Sequence, residues 1–147
     1  MKIAILTVSD TRDRATDETG AAIATHLTAH EIVERGIVPD EQDQIEAVLT
    51  KWCDGKIADL VITNGGTGLS PRDVTPEATK AVVEREVPGL PEAMRAKSPT
   101  SLAYLSRQAA GIRNGTLVIN LPGSPKAAIE CLEAVVDILA HAVEMTK

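Results

Sequence analysis

The sequence predicts an α/β fold, in which helices cover both faces of a mostly parallel, twisted sheet that carries one antiparallel hairpin. Two observations support this three-layer α/β/α arrangement. Short buried apolar runs alternate along the chain with longer stretches of helical periodicity, in the order β-α-β-α-β-α-α-β-β-α. The dipeptide Asn114-Gly115 separates the last two apolar runs and is typical of a two-residue hairpin turn.

In the first half of the chain, three strands alternate with two helices. Residues 2–8, 31–38 and 59–63 are predicted strands because each is a short apolar run. Residues 20–30 and 41–56 are predicted helices. The second helix has an apolar face made by four residues at helical spacing, Ile45, Val48, Leu49 and Trp52.

In the second half, two short helices are followed by the hairpin strands and a long final helix. These elements are predicted over residues 75–86, 90–97, 108–113, 116–121 and 125–145. The first of them opens with Thr75 as a predicted N-cap, Pro76 at the first helical position and Glu77 in the first turn. Pro88-Gly89 is predicted to separate the two short helices.

Composition limits the class of protein. A chain of 147 residues with 44% hydrophobic residues is expected to form one domain over residues 1–147. The net charge of −6 opposes nonspecific binding to nucleic acid or anionic membranes, and no apolar run is long enough to cross a bilayer. Cys53 and Cys131 show no metal-ligand spacing and are expected to be small buried residues of helices. We therefore expect a cytoplasmic protein without nucleic-acid or membrane partners.

Polar or glycine-rich segments follow four of the predicted strands. They are Ser9-Asp10, Pro39-Asp40, residues 64–68 and residues 120–125. In open parallel sheets, ligands bind beyond the carboxyl ends of the strands. The sequence therefore predicts that these four segments converge on one edge of the sheet and form the binding site there.

The third of these segments is a glycine-rich turn. Gly65, Gly66 and Gly68 permit positive φ angles and close backbone approach, so that amide N–H groups can face an anion, and Thr67 adds a hydroxyl. A tight connection without a ligand is equally consistent with glycines alone. The segment lacks the Lys-Ser/Thr ending of a P-loop and the GxGxxG spacing of a dinucleotide fold, so neither of those sites is indicated.

Longer motifs place the chain beside a known family. They are VSD at 8–10, VPDE at 38–41, GGTGLSPRDVTPEAT at 65–79, PGLPEAM at 88–94, LSRQAAGIR at 105–113 and LVINLPGSPKAAIECLEA at 117–134. These motifs occur in the order found in the MogA/MoaB molybdopterin adenylyltransferase family, which the chain resembles, and the chain is also similar to the G domain of gephyrin. The resemblance covers nearly the whole chain and implies the fold of the molybdenum cofactor biosynthesis proteins.

The resemblance also implies an activity. Members of this family transfer AMP from ATP to the terminal phosphate of molybdopterin and release pyrophosphate, and the product passes to a molybdate-inserting partner. They form homotrimers, or hexamers among some MoaB proteins. Their two functional aspartates match Asp40 and Asp73. Because two polyanions must meet in a protein of net charge −6, Mg²⁺ or Mn²⁺ held by these two carboxylates is the expected cofactor.

The resemblance and the strand-end rule together give the remaining predicted substrate- and nucleotide-binding residues. These are Ser9, Asp10, Asn64, Gly65, Gly66, Thr67, Gly68, Arg72, Thr75, Pro76, Glu77, Ser106, Asn120, Pro122, Gly123 and Ser124.

Simpler roles are open for several of these residues. Asp40 and Asp73 could cap the helices that follow them, Ser9-Asp10 could be only a turn, and Arg72 or Lys126 could form surface salt bridges.

Two other functions are consistent with the sequence. One is a non-catalytic molybdopterin carrier, as some MoaB-type paralogues have no settled activity. The other is a detached domain of a molybdate-inserting or competence-damage-like protein, since both share this fold. The presence of both aspartates favours the enzyme.

Overall fold

The computed structural model describes residues 1–147 and contains a six-stranded mixed sheet. Its strands are β1 (Lys2–Val8), β2 (Glu31–Val38), β3 (Leu60–Asn64), β4 (Arg85–Glu86), β5 (Ala110–Arg113) and β6 (Thr116–Leu121). The strand order is β2-β1-β3-β6-β5-β4, in which the first four strands are parallel. β5 is antiparallel to both β6 and β4. The prediction of a mostly parallel sheet with an antiparallel hairpin is confirmed.

Helices cover both faces of the sheet. They are α1 (Glu18–His26), α2 (Gln42–Asp54), α3 (Thr75–Val82), α4 (Gly89–Ala96) and α5 (Pro125–Thr146), with a 3₁₀ helix at Ser101–Leu105. α1, α4 and α5 pack on one face, and α2 and α3 pack on the other. No helix is long and apolar enough to pass through a bilayer.

Each face of the sheet has its own core because side chains alternate along the strands. In β1, Ile3 and Ile5 join the core beneath α1, α4 and α5, whereas Ala4 and Leu6 join the core beneath α2 and α3. Strands buried on both faces read as continuous apolar runs, which is how the sequence shows them. A fully buried Ile or Leu contributes about 1.5–3 kcal/mol, so these two cores hold the strand ends in fixed positions.

The hairpin and the cysteines agree with the sequence analysis. Asn114 and Gly115 have φ angles of 47° and 79°, which a primed two-residue turn requires. Both cysteines are buried, unpaired residues of helices. Burial raises the pKa of the Cys53 thiol to about 12 and also raises that of Cys131, so neither is a reactive thiolate.

The predicted helix at 75–86 is too long. It ends at Val82, because Val83 is extended and the chain then runs along the free edge of β5. There the Glu84 and Val87 amides donate to the carbonyls of Ile112 and Ala110. These edge hydrogen bonds outweigh the helical propensity of the segment.

The predicted N-cap of this helix is also wrong. Val74 is the N-cap residue, and no side chain caps the helix. Thr75 is the first helical residue, and its hydroxyl donates to the Gly65 carbonyl at 2.8 Å instead. Thr75 therefore ties α3 to the glycine turn.

Candidate active site

A cavity of about 370 Å³ opens at the carboxyl edge of the parallel strands. Its walls come from the ends of β1, β2, β3 and β6 and from the start of α5. The lining residues are Thr7, Val8, Ser9, Arg12, Asp40, Asn64, Gly65, Gly66, Asp73, Gly123, Ser124 and Pro125. The predicted convergence of the four polar segments on one edge is confirmed.

Asp40 and Asp73 both line this cavity, although they lie 33 positions apart in the chain. Burial raises the pKa of Asp40, and the nearby negative charges of Asp10 and Asp73 raise it further. The Asp40 carboxylate therefore lies close to the carboxylates of Asp10 and Asp73, and the repulsion between their negative charges costs free energy. Such an arrangement is stabilised by a cation.

Neither aspartate caps a helix, so the capping alternative is wrong for both. Glu41 is the N-cap residue of α2, where no side-chain cap bond forms, and Val74 holds that position in α3. Oδ2 of Asp40 accepts from the Asp10 amide at 3.0 Å, and Oδ2 of Asp73 accepts from the Ser70 amide at 3.0 Å. These bonds orient each carboxylate and leave its Oδ1 free to bind a ligand.

Asp10 fixes the loop that carries Asp40. Its Oδ1 accepts from the Asp40 amide at 3.0 Å, which makes the two residues reciprocal partners. Arg72 then donates to both Asp10 oxygens and to Glu41, so the salt-bridge alternative for Arg72 is confirmed. The hydrogen bonds from Arg72 lower the pKa of Asp10 and keep it ionised.

The glycine turn is built as the sequence predicts at two of its three glycines. Gly65 and Gly66 have φ angles of 96° and 68°. A Cβ on Gly65 would lie 2.3 Å from the Val8 carbonyl oxygen, and one on Gly66 would lie 3.2 Å from Oδ1 of Asp40. The bare backbone of the turn therefore forms the cavity wall beside Asp40.

Gly68 does not have a positive φ angle, but its lack of a side chain allows the Asp73 carboxylate to approach closely. A Cβ there would lie 2.8 Å from Oδ2 of Asp73. The third glycine thus makes room for the second carboxylate.

Asn64 lies at the base of the cavity in a chain of buried hydrogen bonds. Thr7 Oγ1 donates to Oδ2 of Asp17 at 2.8 Å, and Asn64 Nδ2 donates to Thr7 Oγ1 at 3.0 Å. Because an ionised carboxylate only accepts, Asp17 sets the direction of both bonds. The amide nitrogen of Asn64 is thereby engaged, and its Oδ1 is the acceptor that remains for a ligand.

Arg12 is the one basic side chain in the cavity wall, and the sequence analysis did not identify it. Its guanidinium donates to Thr19 Oγ1, which donates to the Gly123 carbonyl at 2.6 Å. The preceding turn is held by Ser9 Oγ, which accepts from the Thr11 and Arg12 amides. Ser9 therefore shapes a turn and also lines the cavity, so its predicted binding role stays a prediction. Arg12 supplies a positive charge suited to a phosphate group.

The start of α5 supplies one further donor. Ser124 caps this helix, since its Oγ accepts from the Ala127 amide at 3.2 Å, and Pro125 is the first helical residue. Both residues line the cavity. Pro125 has no N–H, and the amides of Ala127 and Ala128 bond to Ser124, so the Lys126 amide is the free donor of this turn. A helix N-terminus favours anions. Lys126 is exposed in this turn.

Several predicted binding residues lie outside the main cavity. Asn120 is buried, and its side chain bonds to Thr63, Thr79 and the Ala109 amide. Ser106 and Pro122 line a second, mostly apolar cavity of about 290 Å³ beside α5. The others outside the main cavity lie in the loops near the strand ends or in the first turn of α3: Asp10, Thr67, Gly68, Arg72, Thr75, Pro76 and Glu77.

The chain is similar to known proteins over almost its whole length. A family model described as "Probable molybdopterin binding domain" matches residues 4–141. The chain belongs to this family. The matched range includes both aspartates, the glycine turn and all of the sheet except the first two residues of β1.

Members of the molybdopterin-binding family include enzymes similar to this chain. The molybdopterin adenylyltransferase of Helicobacter pylori strain J99 is 46% identical over 97% of this chain and 86% of its own length. That of Escherichia coli K12 is 40% identical over 97% and 77%. The crystal structure of the molybdopterin biosynthesis enzyme MoaB from Thermus thermophilus is 48% identical, with a TM-score of 0.92 over 99% of this chain and 95% of the other.

The donor set limits how this family member could hold a metal ion. The structure contains no group of three or more His, Cys, Asp or Glu side chains that could hold a metal. Mg²⁺ needs only one or two protein carboxylates when phosphate oxygens supply other ligands. Asp40 and Asp73 each leave one oxygen free, so they fit a cation that binds together with a phosphorylated ligand.

Asp40→Asn should stabilise the free protein while removing a proposed metal ligand. The pKa of Asp40 is raised in the folded state, so its stabilising contribution is present below the ordinary aspartate pKa and is lost as pH rises through the raised value. At pH 7 we expect a gain of roughly 0.5 kcal/mol in the free energy of unfolding, limited by solvent screening. Urea denaturation measured at several pH values tests this.

The gain should vanish below a pH of about 3.9, where Asp40 is protonated. Asp137→Asn, which removes an exposed charge from α5, should show no such pH-dependent gain. A loss of stability in Asp40→Asn at neutral pH would contradict this account of the carboxylate pair.

Proposed function

We propose that this protein is a molybdopterin adenylyltransferase. It transfers AMP from ATP to the terminal phosphate of molybdopterin, with release of pyrophosphate, in molybdenum cofactor biosynthesis. The observation that carries the proposal is the pairing of Asp40 and Asp73 in one cavity with a glycine turn whose backbone faces the same space. The relatives at 46% and 40% identity bear this name.

The reaction needs little covalent chemistry from the protein. An oxygen of the molybdopterin phosphate attacks the α-phosphorus of ATP. The bond between this phosphorus and the oxygen that joins it to the β-phosphorus breaks, and pyrophosphate leaves. The protein must align two anions and neutralise their charge. Arg12, the Gly66 amide and the N-terminus of α5 are suited to bind phosphate oxygens, whereas the Gly65 amide bonds to the Leu121 carbonyl.

The proposed cofactor is Mg²⁺ or Mn²⁺, with ATP as co-substrate. A divalent ion bound with the phosphates supplies charge neutralisation. Asp40 and Asp73 would hold it through their free Oδ1 atoms. We assign direct contact with the nucleotide or the pterin to Ser9, Asn64, Gly123 and Ser124 in the cavity wall. Thr75 and Asn120 hold the backbone around the cavity.

One assay tests the proposed activity. Purified protein is incubated with molybdopterin, ATP and Mg²⁺, and adenylylated molybdopterin is sought by mass spectrometry. We expect the product to form only when ATP and the metal are both present. A protein that binds the pterin in calorimetry but neither binds ATP with the metal nor forms product would be a carrier, and the enzymatic proposal would then be wrong.

We further propose that residues 1–147 act as one molybdopterin-binding domain in a cytoplasmic homotrimer, or a hexamer. The support for assembly is a group of large apolar side chains left exposed on and near the 3₁₀ helix: Leu69, Leu102, Tyr104 and Leu105. Closed symmetry is the usual outcome for such assemblies. The proposed downstream partner is a molybdate-inserting enzyme that takes the adenylylated product.

A further inference from the structure

Arg107 joins the loop that carries Asp73 to the rest of the protein. Its Nε donates to the Gly68 carbonyl at 2.8 Å, and its Nη2 donates to the Asp73 carbonyl at 2.7 Å. Its Nη1 pairs with Glu77 in the first turn of α3. The backbone amide of Arg107 also donates to the Thr67 carbonyl at 2.8 Å. One residue thus makes four contacts with the segment from 67 to 77.

These contacts fix the span of the loop. The carbonyls of Gly68 and Asp73 mark the two ends of the turn that presents the Asp73 carboxylate, and one planar guanidinium holds both. Within the turn, Ser70 bonds to Asp73 and to the Arg72 amide. The Arg72 side chain gives the turn a second anchor, at Asp10 and Glu41. A guanidinium is a rigid, planar fork of donors, so it holds two acceptors at a fixed separation. A lysine ammonium is a single point charge and cannot do this.

Arg107 does not itself line the main cavity. It reaches Asp73 through the main chain, and its own charge is paired with Glu77. Its effect on a ligand must therefore pass through the position of Asp73.

We propose that Arg107 is a positioning residue for Asp73, setting where its carboxylate stands relative to Asp40 by bridging the Gly68 and Asp73 carbonyls. This inference rests on the proposed role of the two aspartates as metal ligands. It predicts that the metal affinity of the site depends on the guanidinium fork of Arg107 and not merely on a positive charge at that position.

Arg107→Lys tests this, with Arg113→Lys as its matched control. Arg113 also uses a guanidinium fork, bonding to Asp54 and the Val82 carbonyl, but it lies at the opposite edge of the sheet. Binding of Mn²⁺ in the presence of ATP is measured by electron paramagnetic resonance, and melting temperature is measured alongside. Both variants should melt about 2–4 °C lower than the wild type.

We expect Arg107→Lys to weaken Mn²⁺ binding by about 10-fold or more, as is usual when the support of a metal ligand is removed. Arg113→Lys should leave Mn²⁺ binding unchanged. Glu77→Gln keeps Arg107 but removes its ion pair, so it should also weaken Mn²⁺ binding, by a smaller factor. If Arg107→Lys does not fold, Glu77→Gln tests the inference instead, and unchanged Mn²⁺ binding in this variant would overturn it.

Two results would separate this inference from the proposed function. If the wild type fails to bind Mn²⁺ with ATP, the proposed function is wrong. If the wild type binds the metal and Arg107→Lys binds it equally well while melting lower, Arg107 has only a structural role and the inference is overturned. Equal weakening in Arg113→Lys would also overturn it.

Discussion

Asp73→Asn should lower the rate of AMP transfer by about 10²–10³-fold, the loss usual when one group that stabilises transition-state charge is removed. The substitution keeps the size of the side chain and an oxygen that can accept from the Ser70 amide, so the loop should keep its shape. It removes the charge that is proposed to hold the cation. The rate is measured at saturating substrate concentrations by using mass spectrometry to monitor the formation of adenylylated molybdopterin.

The same variant should still bind molybdopterin, because most of the cavity wall is unchanged. Asp137→Asn provides a control that changes the net charge equally from an exposed position on α5. Full activity in Asp73→Asn would show that this carboxylate takes no part in the reaction, and equal loss in Asp137→Asn would point to an effect of net charge alone.

Gly65→Ala should reduce the free energy of unfolding by roughly 2–4 kcal/mol, since it combines a strained positive φ with overpacking. The φ angle of Gly65 is 96°, and the new Cβ would lie 2.3 Å from the Val8 carbonyl oxygen. That oxygen belongs to the end of β1 and cannot rotate away as a side chain would. Urea denaturation of the variant and the wild type gives the difference.

Gly89→Ala is the matched control. Gly89 begins α4, and a Cβ there would have no atom within 4 Å. Alanine should leave stability unchanged or raise it by up to about 1 kcal/mol. If Gly65→Ala were as stable as Gly89→Ala, the turn would not need glycine at that position, and the close packing of bare backbone against β1 would be in doubt.

The main strands and helices could be predicted from the sequence because each carries its own pattern. β1 and β2 match their predicted bounds, and the hairpin follows from Asn114-Gly115. β4 could not be predicted, because Arg85–Glu86 is extended only through its hydrogen bonds to β5. Pairing with a distant strand leaves no local signal in a two-residue segment.

The site was predictable in its location and only partly in its contacts. The strand-end rule brought the glycine turn and Asp40 to one edge, and the family resemblance added Asp73, which lines the same cavity. The network that links Thr7 to Asp17, and the bridge from Arg107 to Asp73, join residues whose spacing matches no motif. Such contacts depend on how loops pack, which neither periodicity nor composition records.

We propose that Asp40 and Asp73 bind one divalent cation together with the phosphates of ATP. A crystal structure of the protein with ATP and Mn²⁺, using the anomalous signal of manganese, tests it most directly. We predict a manganese peak in the cavity within about 2.5 Å of an oxygen from each aspartate and in contact with phosphate oxygens. ATP bound in the cavity with manganese contacting neither carboxylate would contradict the account.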